Sequence, residues 1–304
     1  RYFQYKLRMF LTSLCFLNFL FKTYKMKKLV VFMFSIVLLG SCAKNGCTDP
    51  LAFNYDANAT KDDGSCNFQY PCPNDVDYTC IPDYVFEKAL IDLGYDDIMD
   101  GQVLTANISS VDSLDVEADN YDYGIHAKIT DLTGIEDFTS LKYLNCKWNK
   151  LTTLDVNNNT ALTELDCHQN DDLYSLNISN LPNLWNLGCN SNGLKYLTVS
   201  NLPSLRILGC SGSRIENLDL SDLPSLCCVY TDQGQLISLD LSNCPNLSYL
   251  TCRENQLTCL NLKTGNISNI TGLLVSGNPG LCIEVDTVRP ELGNGQSYNC
   301  PGCF

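Results

Sequence analysis

The sequence predicts a repeat solenoid, in which short parallel strands stack into a curved sheet closed at its amino-terminal end by a helix. The first observation is a segment of the form L-x-x-L-x-C-x-x-N that returns as LKYLNCKWN, LTELDCHQN, LWNLGCNSN, LRILGCSGS, LCCVYTDQG, LSYLTCREN and ITGLLVSGN. The second is its regularity. The sixth positions are Cys146, Cys167, Cys189, Cys210, Thr231, Cys252 and Val275, at intervals of 21, 22, 21, 21, 21 and 23 residues. The third is a second apolar set between them, from Leu151-Leu154-Val156 to Leu257-Leu260-Leu262. One unit cannot bury its own apolar side, so stacking must supply the core. Rungs ~4.8 Å apart make a sheet about 30 Å long.

Residues 1–41 read as a leader. They hold seven basic side chains and no acidic one. Residues 1–25 begin at Arg1 and are expected to be translated upstream sequence outside the fold. Residues 26–41 form a signal: Met26-Lys27-Lys28, an apolar run from Leu29 to Leu39, then Leu39-Gly40-Ser41-Cys42. The run is shorter than the ~20 residues that span a membrane. Small residues directly before a cysteine resemble the bacterial lipobox, which implies lipidation of Cys42, export, and a compartment where disulfides persist. An outer-membrane lipoprotein is expected, surface-exposed or facing the periplasm.

Beyond the leader, 263 residues carry 34 acidic and 13 basic side chains, a balance that repels phosphate backbones and excludes nucleic acid as a partner. Two histidines leave little for a multi-histidine metal centre. Residues 42–80 form a tether. CTDPLAFNYDANATKDDGSC, from Cys47 to Cys66, resembles a cysteine-bounded motif of secreted and surface proteins of Bacteroidetes-type bacteria. The resemblance makes Cys47–Cys66 the natural pair and Cys72–Cys80 a second, although sequence alone leaves connectivity open. Asn54, Asp56 and Asn58 alternate as the first ligands of an EF-hand do, but Ala59 and Ser65 occupy its glycine and bidentate glutamate positions. A different calcium loop using Asp49, Asp56, Asp62 and Asp63 stands as the weaker alternative to a solvated spacer.

Residues 81–128 form the amino-terminal cap. In IPDYVFEKALIDLGYDD, Val85, Phe86, Leu90 and Leu93 recur at helical spacing, Asp83 fits the N-cap and Gly94 the stop. The repeats run over 129–285. Their cysteine column is expected to be reduced core packing, because the same position accepts Thr231 and Val275, and Cys is among the most buried residue types. The asparagines that follow are expected to bond backbone groups left unpaired at each bend. Ser213 and Gly234 interrupt them, so the middle should be irregular.

The motif resembles the leucine-rich repeat family, in its bacterial class with about 21 residues per unit, from Ile129 to Val285. Ile129-Thr130-Asp131-Leu132-Thr133-Gly134-Ile135-Glu136 resembles a degenerate first repeat, as in internalin-like surface proteins, and an earlier strand is expected within Leu104–Val116. The resemblance implies that residues flanking the strand leucines face a concave binding surface. These are Tyr143, Asn145, Lys147, Glu164, Asp166, His168, Asn186, Gly188 and Asn190, then Ile207, Gly209, Ser211, Cys228, Tyr230, Asp232, Tyr249, Thr251 and Arg253, with Trp148 alongside. Aromatic anchors are favoured at interfaces, which selects Tyr143, Trp148, Tyr230 and Tyr249.

Residues 286–304 form a terminal cap, closed by Cys282–Cys300 with Cys303 left over; no later sorting domain is evident. Cys227 and Cys228 leave open pairing with Cys244 or Cys259. Asp166, His168 and Glu164 suggest acid–base work, but the sequence places no nucleophile beside them. Glycine-rich phosphate loops, serine elbows and zinc spacings are absent. The expected function is a non-catalytic, monomeric, cofactor-free envelope lipoprotein binding a protein or glycan. Its rivals are a spacer without a specific ligand and a hydrolase using Asp166 and His168.

Overall fold

The computed structural model describes residues 43–49, 52, 54–66, 76–118, 128–199, 201–263 and 267–286, with the backbone of 297–298. The leader, Cys42, Cys72, Cys300 and Cys303 lie outside these residues.

The repeat motif becomes one parallel sheet because its leucines all face the same way. The strands are β3 (Ser113–Asp115), β4 (Tyr143–Asn145), β6 (Glu164–Asp166), β8 (Asn186–Gly188), β9 (Ile207–Gly209), β10 (Cys228–Tyr230), β12 (Tyr249–Thr251) and β14 (Gly272–Leu274), hydrogen-bonded in that order. Their central residues, from Leu114 and Leu144 to Leu250 and Leu273, stand in register and are buried. The fold is a leucine-rich repeat solenoid.

It begins one rung earlier than the motif. β3 is the strand expected within Leu104–Val116. Ile129–Glu136 is not a separate repeat, because Ile129 and Leu132 are buried where Leu151 and Leu154 lie in the next rung, and Ile135–Asp137 is a 3-10 turn. The segment is the returning half of the β3 rung.

Cys146, Cys167, Cys189 and Cys252 are 0% exposed, and Cys210, Thr231 and Val275 share their burial. Burial pushes the Cys167, Cys210 and Cys252 thiols up to about 12, so they are protonated apolar packing. The asparagines close the bends. Asn149, Asn170, Asn255 and Asn278 each donate to carbonyls of their own rung and the one before, while each Oδ1 accepts a backbone N–H. In the middle the ladder thins. Ser213 donates only to Cys210 O, at 2.7 Å, and Gly234 contributes no side chain.

The second apolar set forms strands at both ends only. β5 (Thr153–Asp155) pairs with β7 (Ser175–Asn177). β11 (Ser238–Asp240), β13 (Cys259–Asn261), β15 (Cys282–Glu284) and β16 (Ser297–Tyr298) form a second sheet. The expectation of two extended faces in every repeat fails over Leu194–Val199 and Ile215–Leu220, which bury their apolar residues without strand pairing. The gap meets the thinned asparagine ladder only at Ser213: the segment after Asn192 also lacks a strand, whereas the one after Gly234 carries Ser238–Asp240. Along this convex side Asp155, Asp219 and Asp240 accept the N–H two residues on, turning the chain.

At the amino-terminal end β1 (Tyr78–Cys80) and β2 (Gln102–Leu104) form an antiparallel pair around helix α1 (Tyr84–Asp92), with the short α2 (Thr105–Ile108) following. Asp83 caps α1 through Val85 N and Phe86 N, and Gly94 adopts φ 80° just past its end. Phe86 stacks on Phe138 of the first rung, with ring centroids 6.4 Å apart. Gly134 is required there: its φ is 100°, and a Cβ would sit 2.4 Å from Ile81 Cδ1.

In the tether Cys47 and Cys66 form a disulfide. Asp56 pairs with Lys44 and turns the chain at Asn58, and Asp63 does the same at Ser65. Among the described residues no group of three acidic, histidine or cysteine side chains stands together as a metal site would need.

Candidate binding face

In a three-residue strand the central side chain points in and its neighbours point out. Register therefore builds three outward columns. Tyr143, Glu164, Asn186, Ile207, Cys228 and Tyr249 align in the first. Asp115, Asn145, Asp166, Gly188, Gly209, Tyr230 and Thr251 align in the second. Just beyond the strands Glu117, Lys147, His168, Asn190, Ser211, Asp232 and Arg253 make the third.

The amino-terminal half is charged. Lys147 Nζ lies 2.9 Å from Glu117. Partial burial pushes the Glu117 carboxyl up, but hydrogen bonds from Lys147 and Asn145 outweigh it and hold the group below the usual carboxylate range. Asn145 was expected to face a partner; it is instead 2% exposed, because its amide is drawn between Asp115 and Glu117, at 3.1 and 3.2 Å. Asp166 meets His168 Nδ1 at 2.5 Å, and Trp148 turns an edge toward the His168 ring. Among the described residues no group bonds the other nitrogen of that ring. Asn186 donates to Glu164 at 3.3 Å.

At the centre Gly188 and Gly209 leave the strands bare, and the side chains of Asp166 and Asn190 occupy the space: a Cβ on Gly209 would lie 2.9 Å from Asn190 Nδ2. Asn190 in turn accepts from Ser211 N at 2.9 Å.

The carboxy-terminal half is aromatic. The Tyr249 ring lies over Gly272, where a Cβ would come within 2.5 Å, and the Tyr230 ring sits 5.4 Å from it. Beside them Asp232 accepts from Arg253 Nε and Nη2, at 2.9 and 2.6 Å, and from the Thr251 hydroxyl. Burial alone would raise the Asp232 carboxyl, but these donors outweigh it and lower it. Arg253 is thereby held in one orientation.

Two rows escape the sequence pattern. Directly before each strand, one carbonyl accepts two consecutive N–H groups of the next rung; Arg206 O takes both Cys227 and Cys228, at 2.9 and 3.0 Å. That bulge-like geometry breaks the alternation of the strand, bringing Thr163, Trp185, Arg206 and Cys227 to the margin of the face. Just after each strand Trp148, Gln169, Ser191, Gly212, Gln233, Glu254 and Gly277 all take positive φ, between 53° and 78°. This left-handed step costs an L-residue about 1–2 kcal/mol and turns the following asparagine inward. Only the two glycines in the row could have signalled it.

Neither Cys227 nor Cys228 pairs with Cys244 or Cys259. Cys244 is a buried free thiol bonded to Leu220 O, and Cys259, like Cys80 and Cys282, is in a disulfide. A hollow of about 310 Å³ lined by Asp131, Glu136, Thr153 and Asp155 lies on the convex side, away from this face. Among the described residues no helix is long and apolar enough to cross a membrane.

No protein-family model and no curated protein matches the chain. Among solved structures it is similar to the functional domain of InlJ from Listeria monocytogenes, described as including a cysteine ladder, at 18% identity and TM-score 0.39 over 73% of this chain and 70% of that one. It is similar to internalin C2 from the same organism at 19% identity and TM-score 0.46, over 67% of this chain and 100% of that one. The leucine-rich repeat protein LIC12759 of Leptospira interrogans follows at 20% and 0.35, over 64% and 62%. At these identities and TM-scores nothing about partners passes from those proteins to this chain.

Proposed function

We propose that the chain is a non-catalytic binding protein of the bacterial cell envelope, exported, held by a lipid on Cys42, and presenting its concave face to a protein partner. The observation that carries this reading is the Tyr230–Tyr249 pair, seated on Gly272 beside the Asp232–Arg253 fork. Tyrosine and arginine dominate binding hot spots, and side chains already fixed lose little freedom on association. The acidic groups of the other half favour a partner with a basic surface and raise its rate of encounter. Export is supported by the disulfides at Cys47, Cys66, Cys80, Cys259 and Cys282, which belong to an oxidising compartment.

The test is capture of envelope and host-surface fractions by the purified chain and by Tyr143→Ala, Tyr230→Ala and Tyr249→Ala variants. Loss of capture by at least about tenfold, or ~1.4 kcal/mol, is expected for Tyr230 and Tyr249. Capture unchanged by all three favours the spacer reading. Capture that survives protease but not glycosidase treatment of the fraction marks a glycan instead. Intact-mass measurement on membrane-extracted protein tests the anchor by the presence of diacylglycerol on Cys42. A hydrolase activity abolished by His168→Ala would overturn the non-catalytic reading.

A further inference from the structure

We infer that Cys227 and Cys228 form a dithiol modification site on the concave face, which exchanges with small-molecule disulfides and closes to a ring between neighbouring residues. Adjacent residues of a strand ordinarily point to opposite faces, which would keep two such thiols apart. Here the strand has not yet begun at Cys227. Both N–H groups aim at Arg206 O, at 2.9 and 3.0 Å, so the two residues leave the backbone on the same side. Their Sγ atoms stand 3.2 Å apart. A disulfide spans about 2.05 Å, so side-chain rotation and a small backbone adjustment must supply roughly 1 Å.

Access separates this pair from every other free thiol among the described residues. Cys146, Cys167, Cys189, Cys210, Cys244 and Cys252 are buried, whereas Cys227 and Cys228 are both partly exposed. Cys228 lies in register between Ile207 and Tyr249, within the face rather than on a loose segment. The peptide that would have to adjust is gripped from the following rung as well: Cys227 O accepts from Ser248 N and Tyr249 N, at 2.9 and 3.1 Å. Partial burial and the neighbouring Cys228 thiol raise the Cys227 thiol above its ordinary value, and the Arg206 guanidinium opposes them. Exchange should therefore quicken toward alkaline pH.

The chemistry balances with a low-molecular-weight disulfide as oxidant. One thiol loses its proton and its sulfur attacks the reagent, forming a mixed disulfide and releasing one small thiolate. The second thiol then loses its proton, attacks the protein sulfur of that mixed disulfide, and releases the second small thiolate. Two electrons pass from the cysteines to the reagent, which leaves as two thiols.

The full chain, folded, is exposed to cystine at pH 8, quenched with acid, alkylated in denaturant and digested with chymotrypsin, which cuts after Tyr230 and so parts the pair from Cys244 and Cys252. The expected result is a peptide carrying Cys227 and Cys228 that has lost two hydrogens, takes no alkyl group, and takes two after reduction. A Cys228→Ser variant, which retains one reachable thiol and a side chain of similar size, should instead keep a stable cysteinyl adduct on Cys227. Two alkylated thiols in the wild-type peptide after exposure would overturn the inference. So would a cysteinyl adduct as lasting in the wild type as in the variant, because the ring-closing step would then be missing.

Discussion

The side-chain amide of Asn170 donates to the carbonyl oxygen of Cys146 on the preceding rung and to that of Cys167 on its own, at 3.1 and 2.9 Å. Its Oδ1 accepts Leu151 N at 3.0 Å. Cys146 O has a second donor in Asn149, so Asn170→Ala orphans mainly Cys167 O and Leu151 N. A buried unpaired group costs roughly 1–3 kcal/mol, and chemical denaturation should show a loss of about 3 kcal/mol. Ser213→Ala removes one bond from the thinned part of the same ladder and should cost about 1 kcal/mol. Equal losses would mean that the two positions do not differ as their bonding implies.

Asp83 joins the cap to the repeats through one carboxylate. Oδ1 accepts Val85 N and Phe86 N, while Oδ2 accepts Thr130 N, Thr130 Oγ1 and Asp131 N between 2.7 and 3.1 Å. Loss of an ordinary N-cap costs about 1 kcal/mol. Asp83→Ala should cost at least twice that, with faster amide exchange at both α1 and Thr130. Exchange confined to α1 would show that the bridge to the repeats is idle.

Glu87 is buried in α1, with Oε1 accepting Asp100 N and Gly101 N. Burial raises its carboxyl to about 7 from an ordinary 4.5, against those two bonds. A raised carboxyl pKa means that the folded state holds the proton more tightly than the unfolded chain. Its contribution is complete below about 4.5 and lost as pH rises through about 7. Melting temperature should decline across that window, and Glu87→Gln should remove that part of the decline. A variant with the parent slope would refute it.

The thiol column makes a second pH prediction of the same sign. Cys167, Cys210 and Cys252 are raised from 9.0 to about 12 by burial, so the stability they confer as neutral thiols disappears between those values. Cys252→Val adds about one methyl group to a column that already holds Val275 and should cost about 1–3 kcal/mol at pH 7. It should also make alkaline unfolding shallower. An unchanged alkaline limb in titrations followed by circular dichroism would speak against the column.

The rungs were legible because burying leucines at a fixed interval requires stacking: Leu144, Leu165 and Leu187 announce both strand and register. The cysteines were readable as core because Thr231 and Val275 share their place. The break in the asparagine column at Ser213 and Gly234 pointed to an irregular middle, yet the main sheet runs unbroken through β9 and β10. Of the two convex segments that follow those residues, only the one after Ser213 lacks a strand. Other features left little trace. The positive φ at Trp148, Gln169 and Glu254 is a backbone property carried by residues with no special preference for it. Asn145 alternates outward like its neighbours, and only the meeting of Asp115 and Glu117 from a distant part of the chain draws it under cover. Cys227 and Cys228 look divergent until the bulge before β10 is known.

The identical meeting of β4 with β6 and of β6 with β8 carries a consequence for how such a chain changes over generations. Cutting out one whole unit would bring together two surfaces already shaped for each other, and duplicating one would insert a tier that fits above and below. The reach of the molecule can thus lengthen or shorten in steps of ~4.8 Å while the backbone register between rungs is kept. An insertion of any other size would have to be carried outside the stack.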